Sequence, residues 1–200
     1  MFRPCSGAAP IGLLSRGSNT PLDNTMETKA AYWESRIKTY GFQRMTGLSL
    51  VEITVRSARI EALGQVFCRL AEAGVGFHLV FSRTSFRGLE VSLLVTAQWA
   101  KVIEEHMQGL MEDANKVILR ISASEMVFFQ GPHFGDRYGI LDAAARGLAA
   151  RGIGMKATVC SGSCIYIVLP EGKSEEAVLA LSEIFEIPRA SSQKHSRTPG

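Results

Sequence analysis

Residues 128–169 read FFQGPHFGDRYGILDAAARGLAARGIGMKATVCSGSCIYIVL, and the fold follows from how that stretch divides. Val127, Phe128 and Phe129 are β-branched or aromatic, and Gly131-Pro132 breaks the run directly after them, so a short strand ends there. Gly135 and Gly139 bracket Asp136, Arg137 and Tyr138. Glycines let a backbone turn sharply and expose its N–H groups, so this loop is the expected place for a ligand. From Ile140 the apolar positions Ile140, Ala144 and Leu148 fall on one helical face, with Gly152 as the C-terminal stop. Residues 153–159 and 164–169 then read as two strands around Ser161-Gly162-Ser163. The unit is strand, glycine loop, helix, hairpin.

The unit occurs twice. Residues 70–77, LAEAGVGF, match residues 148–155, LAARGIGM, at an offset of 78 residues. A repeat at fixed offset with the same element order signals a duplicated unit. Each copy continues into a second helix, which gives the order β-α-β-β-α-β, the ferredoxin-like arrangement. Working outward, residues 48–55 alternate as a strand, and Ile60, Leu63, Val66, Phe67 and Leu70 recur at helical spacing up to Gly74. Residues 76–83 and 89–95 form a hairpin around 84–88, four residues longer than its counterpart. Trp99, Val102, Ile103, His106 and Leu110 mark a helix, and residues 116–121 close the first copy. The second copy begins at 125–130 and ends with a helix over 174–185, leaving only Glu186 and Ile187 before Pro188. That is too little for a last strand, so the second sheet is expected to borrow one, with residues 42–48 as the candidate.

Composition bounds the class. The chain has 200 residues, room for two small domains. No apolar run approaches the roughly 20 residues of a membrane span. Five of the 22 basic and one of the 19 acidic side chains lie in residues 1–25 and 189–200, leaving 17 against 18 between them. The net charge of +3 therefore belongs to the tails and does not mark a nucleic-acid surface. Phe128 and Phe129 are adjacent and point to opposite faces, with no basic run beside them, so the RNA-recognition pattern is missing. Cys5, Cys68, Cys160 and Cys164 form no disulfide framework; Cys160 and Cys164 flank a turn and are either a pair across it or two small strand residues in a reducing cytoplasm. His78, His106, His133 and His195 show no metal-ligand spacing, and no nucleophile elbow or phosphate-binding loop is present. The expectation is a non-catalytic protein with no metal and no cofactor.

From Met45 to Ile187 the chain resembles the tandem ACT domains that form the regulatory half of aspartokinases. Met45-Thr46-Gly47-Leu48 is similar to the entry to that region, residues 131–139 to its glycine-rich loop, and residues 148–155 to the helix end that leads into a Gly-Ile-Asn pattern. Cys160-Ser161 falls at the Ser/Thr-rich strand, and residues 177–185 resemble the closing helix. The resemblance implies an α+β fold of two ferredoxin-like domains, side-by-side antiparallel sheets with helices on one face, and a strand shared between them. It implies a small amino acid effector held largely by backbone groups, a homodimer, and a separate enzyme of amino-acid biosynthesis as target. The sequence departs from the family in three places. The first loop, 56–61, lacks the acidic-Pro-Gly character; Tyr138 stands at a proline position; Gly162 replaces an acidic residue. The N-terminal segment is also too short for a kinase domain.

The expected organisation is an extension over 1–25, a segment over 26–44 in which Met26 is a candidate start, a first domain over 45–122, a second over 123–188 and a tail over 189–200. The expected ligand set is Gly135, Asp136, Arg137, Tyr138, Gly139, Ile140, Met155, Lys156, Ala157, Thr158 and Ser161. N–H groups at the start of the helix after Gly139 would attract a carboxylate. Asp136 either pairs with a ligand ammonium or caps that helix. Arg137 is either a carboxylate anchor or a solvated loop residue, and Ser161 either touches the ligand or serves the turn. The reading is a cytoplasmic amino-acid-binding regulator, with a ligand-free interaction module of the same fold as the alternative.

Overall fold

The computed structural model describes residues 36–56, 60–111 and 117–187. Their elements run β1 (Ile37–Lys38), β2 (Phe42–Val55), α1 (Ile60–Glu72), β3 (Phe77–Ser85), β4 (Gly88–Thr96), α2 (Gln98–Met111), β5 (Val117–Gln130), α3 (Ile140–Ala150), β6 (Ala157–Ser161), β7 (Cys164–Pro170), α4 (Ser174–Ile184) and β8 (Phe185–Glu186). Six strands form one antiparallel sheet in the order β3-β4-β2-β5-β7-β6, while β1 and β8 pair in parallel apart from it. The architecture is α+β. The order β5-β2-β4-β3 is ferredoxin-like for the first half, and β2-β5-β7-β6 is the same order for the second. The strand missing from the second half is supplied by the start of β2, where Phe42 pairs with Phe129 and Met45 with Met126.

The repeated octapeptide closes a helix in the same way both times. Val75 N–H donates to the Leu70 carbonyl and Gly74 N–H to that of Ala71; Ile153 donates to Leu148 and Gly152 to Ala149. These are the two hydrogen bonds of a Schellman stop. Gly74 and Gly152 carry it at φ of 73° and 67°, which L side chains rarely adopt. In each copy the residue after glycine is buried with the leucine it bonds, Val75 with Leu70 and Ile153 with Leu148.

The structure corrects several expected boundaries. β5 is one strand, where the sequence predicts separate strands at 116–121 and 125–130: Ser122, Ala123 and Ser124 pair with Leu50, Ser49 and Leu48 without interruption. Small Ser and Ala side chains look like a break in an apolar pattern but do not interrupt a ladder. β3 and β4 extend through Ser85 and from Gly88, so only Phe86 and Arg87 turn the hairpin expected over 84–88. β6 starts at Ala157, because Ile153 belongs to the helix stop. Expectations for 1–35, 57–59, 112–116 and 188–200 lie outside the described residues.

A bulge decides which faces are buried. Thr46 and Gly47 of β2 stand opposite the single residue Glu125 of β5, between the pairs Met45↔Met126 and Leu48↔Ser124. Strand side chains alternate, so this extra residue lets even-numbered Phe42 and odd-numbered Val51, Ile53 and Val55 share a face. β5 shows no such irregularity against β2, and Val117, Leu119, Val127 and Phe129 lie on that face together. The first two pack with Leu63, Val66 and Leu70 of α1 and Ile103 and Met107 of α2; the last two pack with Ile140, Ala144 and Leu148 of α3 and Ala177, Ala180 and Leu181 of α4. All four helices therefore cover one face. On the other, Leu48, Leu50, Leu94, Met126 and Val168 are buried among Leu79 and Phe81 of β3, Ala157 of β6, and Phe128 and Tyr166. Side chains from both edge strands reach this central cluster, so the helix-free face is concave.

Glu125 marks the seam. It is only 8 % exposed, and its Oε2 accepts the Ser174 N–H at 2.8 Å, at the start of α4. Burial works to raise its pKa. Hydrogen bonds from the Ser174 hydroxyl and from the N–H groups of Ser174, Gly172 and Lys173 outweigh that and hold it below the usual carboxylate value. A lowered folded pKa adds stability above the unfolded value of about 4.3, and that stability is lost as pH falls through the folded value. Glu125→Gln is expected to cost about 1–3 kcal/mol at pH 7 in urea denaturation. The gap between wild type and variant should shrink below pH ~4. A gap that stays constant with pH contradicts the charged capping role.

Candidate functional site

The loop from β5 to α3 is shaped by packing at its start. A Cβ on Gly131 would stand 2.3 Å from the Lys38 carbonyl oxygen, so the chain entering β2 lies directly on this glycine. That segment is tied down by Thr39, whose hydroxyl donates to the Gln130 carbonyl at 2.7 Å and whose N–H donates to Glu186 at 2.8 Å. Phe134 inserts edge-on against Phe129 with ring centroids 5.7 Å apart, and Phe129 also meets Phe42 and Phe185 at 5.1 Å. The remainder of the loop turns outward. His133 takes φ 64°, and its carbonyl accepts the N–H groups of Asp136 at 3.2 Å and Arg137 at 2.8 Å.

Gly135, Asp136, Tyr138 and Gly139 are exposed, Tyr138 at 96 %. Asp136 does not cap α3. The N-cap is Gly139, at φ 82°, with no side-chain capping hydrogen bond. The Asp136 carboxylate lies instead 3.7 Å from His133 Nδ1. Ile140 is buried in the core of the second half, so its side chain serves packing and only its backbone faces the loop.

The predicted strand residues fall into two places. Ser161 pairs with Cys164, and Cys164 with Gln130, which puts Ser161 at the same end of the sheet as the glycine loop. Ala157 pairs with Val168, and Val168 with Met126, so Ala157 and Thr158 at the start of β6, and Met155 and Lys156 just before it, lie toward the opposite end. The eleven residues of α3 between those ends measure about 16 Å at 1.5 Å per residue. Within one chain a ligand of amino-acid size reaches one group or the other. The cross-strand register also pairs Cys160 with Ile165, so Cys160 and Cys164 face opposite sides, and both are free thiols.

Lys156, Ala157 and Thr158 wall a cavity of about 320 Å³ on the helix-free face. Its opposite wall comes from the first half: Glu52 and Thr54 of β2, Phe81 and Arg83 of β3, Glu90 and Ser92 of β4. The register lays Glu52, Ser92 and Phe81 in one row across the strands and Thr54, Glu90 and Arg83 in the next. Lys156 Nζ donates to Ser122 Oγ at 2.9 Å, the Ala123 carbonyl at 2.6 Å and Ser124 Oγ at 3.0 Å, which latches β6 to the middle of β5. Glu90 accepts from the Ser85 hydroxyl at 2.7 Å and from Arg83 Nε at 2.5 Å, and these two bonds, in that order, hold its pKa below the ordinary value. Sequence reading misses the first-half wall. The signal was there, since Glu52, Thr54, Glu90 and Ser92 alternate with buried Ile53, Val91 and Leu93, but nothing local says that β6 lies across from them.

A wider groove of about 730 Å³ opens at Arg56, Ile60, Phe86 and Arg87, at the first-half counterpart of the glycine loop. Among the described residues no group of three or more His, Cys, Asp or Glu is placed to hold a metal ion, and no helix is long and apolar enough to cross a membrane.

No protein-family model matches the chain, and no curated protein does. Among solved structures it is similar to the regulatory subunit of aspartate kinase from Thermus flavus, 15 % identical with a TM-score of 0.64, over 74 % of this chain and 98 % of that one. Aspartate kinase from Synechocystis is matched at 16 % identity and a TM-score of 0.67, over 81 % of this chain and 29 % of the other. E. coli aspartokinase III in complex with lysine and aspartate, in its T state, is matched at 16 % identity and a TM-score of 0.52, over 76 % of this chain and 34 % of the other. At these identities the likeness is one of fold. The chain has the architecture of aspartokinase regulatory subunits and regulatory domains.

The loop geometry sets apart two glycines that look alike in sequence. Gly131→Ala meets the Lys38 carbonyl and is expected to cost about 1–3 kcal/mol. Gly135→Ala meets open space and is expected to stay within about 0.5 kcal/mol of wild type. Equal costs in parallel urea titrations contradict the close approach of the entering segment.

Proposed function

We propose that the chain is a non-catalytic regulatory protein that binds a small amino acid and passes the binding on through its subunit contacts to a separate enzyme of amino-acid biosynthesis. The observation that carries this reading is the fold likeness to free-standing regulatory subunits, which spans 74 % of this chain and 98 % of the Thermus flavus subunit. The E. coli relative in fold is described in complex with lysine and aspartate, which supports an amino acid as the effector class. The two loci available to it are the glycine loop with Gly135, Asp136, Arg137, Tyr138, Gly139, the Ile140 backbone and Ser161, and the cavity at Lys156, Ala157 and Thr158. Residues 45–122 and 123–188 act as two domains that share strands β2 and β5, the working form is a homodimer, and the compartment is the cytoplasm.

Regulation requires that the effector bind two conformations with different affinity, since a ligand that binds both equally shifts nothing. Strands shared between halves suit that need: a ligand that moves one half has a direct mechanical hold on the other. A thermal-shift screen of the full chain against the twenty amino acids at millimolar concentration tests the reading. An effector at 100 times its dissociation constant adds about 2.7 kcal/mol of stability and raises the melting temperature. A flat screen on folded protein contradicts the effector reading and favours a ligand-free interaction module.

A further inference from the structure

The cavity on the helix-free face has charged groups of both signs with hydrogen-bonding capacity to spare, and the geometry points to a specific occupant. It is the site of a zwitterionic α-amino acid with an uncharged side chain, its ammonium on Glu52 and its carboxylate on Arg83. This assignment rests on the effector reading and names where and what the effector is.

Four charged side chains line the cavity, and hydrogen bonding sorts them. Lys156 has three protons and three acceptors on β5 within 3.0 Å, so its ammonium has none left to donate. Glu90 accepts from Ser85 and Arg83. Arg83 engages Glu90 through Nε alone, which leaves its terminal nitrogens to form the fork that suits a carboxylate. The Glu52 carboxylate is exposed and has no hydrogen bond or ion pair among the described residues. The groups with donors or acceptors to spare are therefore the Glu52 carboxylate and the terminal nitrogens of Arg83, whose Nε stays on Glu90. Their strand positions stand two strands and two residues apart, about 12 Å between Cα atoms at the usual sheet spacings, and two long side chains span most of that.

The charges of Glu52, Glu90, Arg83 and Lys156 sum to zero, so a net-neutral ligand leaves none uncompensated. A third charge on the ligand would meet either a satisfied ion or the Phe81 ring and Ala157 methyl. A volume of about 320 Å³ lies at the small end of ligand pockets, which suits an amino acid and leaves no room for a nucleotide. The position fits a regulator. Glu52 and Arg83 belong to the first half and the Lys156–Thr158 wall to the second, so an occupied cavity draws the two edges of one concave sheet together.

Calorimetry on the full-length chain with L-threonine, L-valine and L-methionine as probes, and L-lysine and L-aspartate as charged comparisons, tests this. At least one neutral probe should bind wild type, more tightly than either charged comparison. Glu52→Gln, nearly isosteric at an exposed position, should weaken that probe at least tenfold with an unchanged ligand-free melting temperature. The N-acetylated probe, which lacks the ammonium, should bind wild type at least tenfold more weakly, and Glu104→Gln on α2 should leave affinity unchanged. Binding that survives Glu52→Gln, or is lost instead in Asp136→Ala, overturns the cavity assignment and leaves the effector reading standing. Tighter binding of L-lysine or L-aspartate overturns the charge argument. No binding by any of the twenty amino acids defeats both.

Discussion

The antiparallel ladder between β2 and β5 is the constraint on which the rest of the molecule depends. It runs from Phe42↔Phe129 to Val55↔Val117, and each strand serves both halves of the sheet. The start of β2 is the last strand of the second half and its end is the first strand of the first. β5 does the reverse. Neither half can present a complete sheet without the other, so the duplicated unit in the sequence is not two domains joined by a linker. One residue of bulge makes the ladder work. A continuous β2 would turn Phe42 away from Phe129 and Phe185 or turn Val51, Ile53 and Val55 away from α1 and α2, and in either case a buried set of apolar side chains would meet water. Thr46 and Gly47 against Glu125 avoid that choice, and Glu125, fixed opposite the bulge, is also the carboxylate that receives the N-terminus of α4.

Placing all four helices on one face leaves the other to shape itself. Leu48, Leu50, Leu94, Met126 and Val168 lie on the face that the four helices do not cover, and they are buried in one cluster with Leu79 and Phe81 of β3 and Ala157 of β6 packed against it. The same curvature that hides this apolar strip encloses the polar cavity beside it, where Lys156 is latched to Ser122, Ala123 and Ser124 at the middle of β5. The candidate site is thus a product of the tertiary curl of the sheet rather than of one local motif. The glycine loop is different in kind. Its entry is locked by Gly131 and Phe134, while Gly135, Asp136 and Tyr138 lie outside the packing.

Much of the fold is legible because it is written in short-range patterns. The repeat at 70–77 and 148–155 is a helix stop whose glycines need positive φ and whose next residue must be apolar, and both requirements leave a mark in sequence. The shortage of residues after Phe185 is equally readable, and with it the need for a borrowed strand. The continuity of β5 is not. Ser122, Ala123 and Ser124 lack the apolar alternation that signals a strand, yet long-range pairing with Leu50, Ser49 and Leu48 holds them in one. The site is read only in part. Asp136 is spaced as a helix cap, but Gly139 takes that position at positive φ and turns the chain so that the carboxylate lies by His133. Met155 to Thr158 are grouped with the loop by analogy, whereas the length of α3 sets them apart. That Glu52 and Arg83 line one cavity with Lys156 is not legible in sequence, because what brings them together is curvature of the whole sheet.

The central claim is that the shared strands make the two halves one cooperative unit. Native-state hydrogen exchange, resolved to single amides along β2 and β5, tests it most directly. The account predicts that amides bonded in the ladder at Gln43–Met45 and at Val51–Val55 open with the same free energy and the same dependence on denaturant, and that those of β5 open with them. Two separate openings, one for each half, would contradict it, and would mean that the sheet is two domains laid edge to edge.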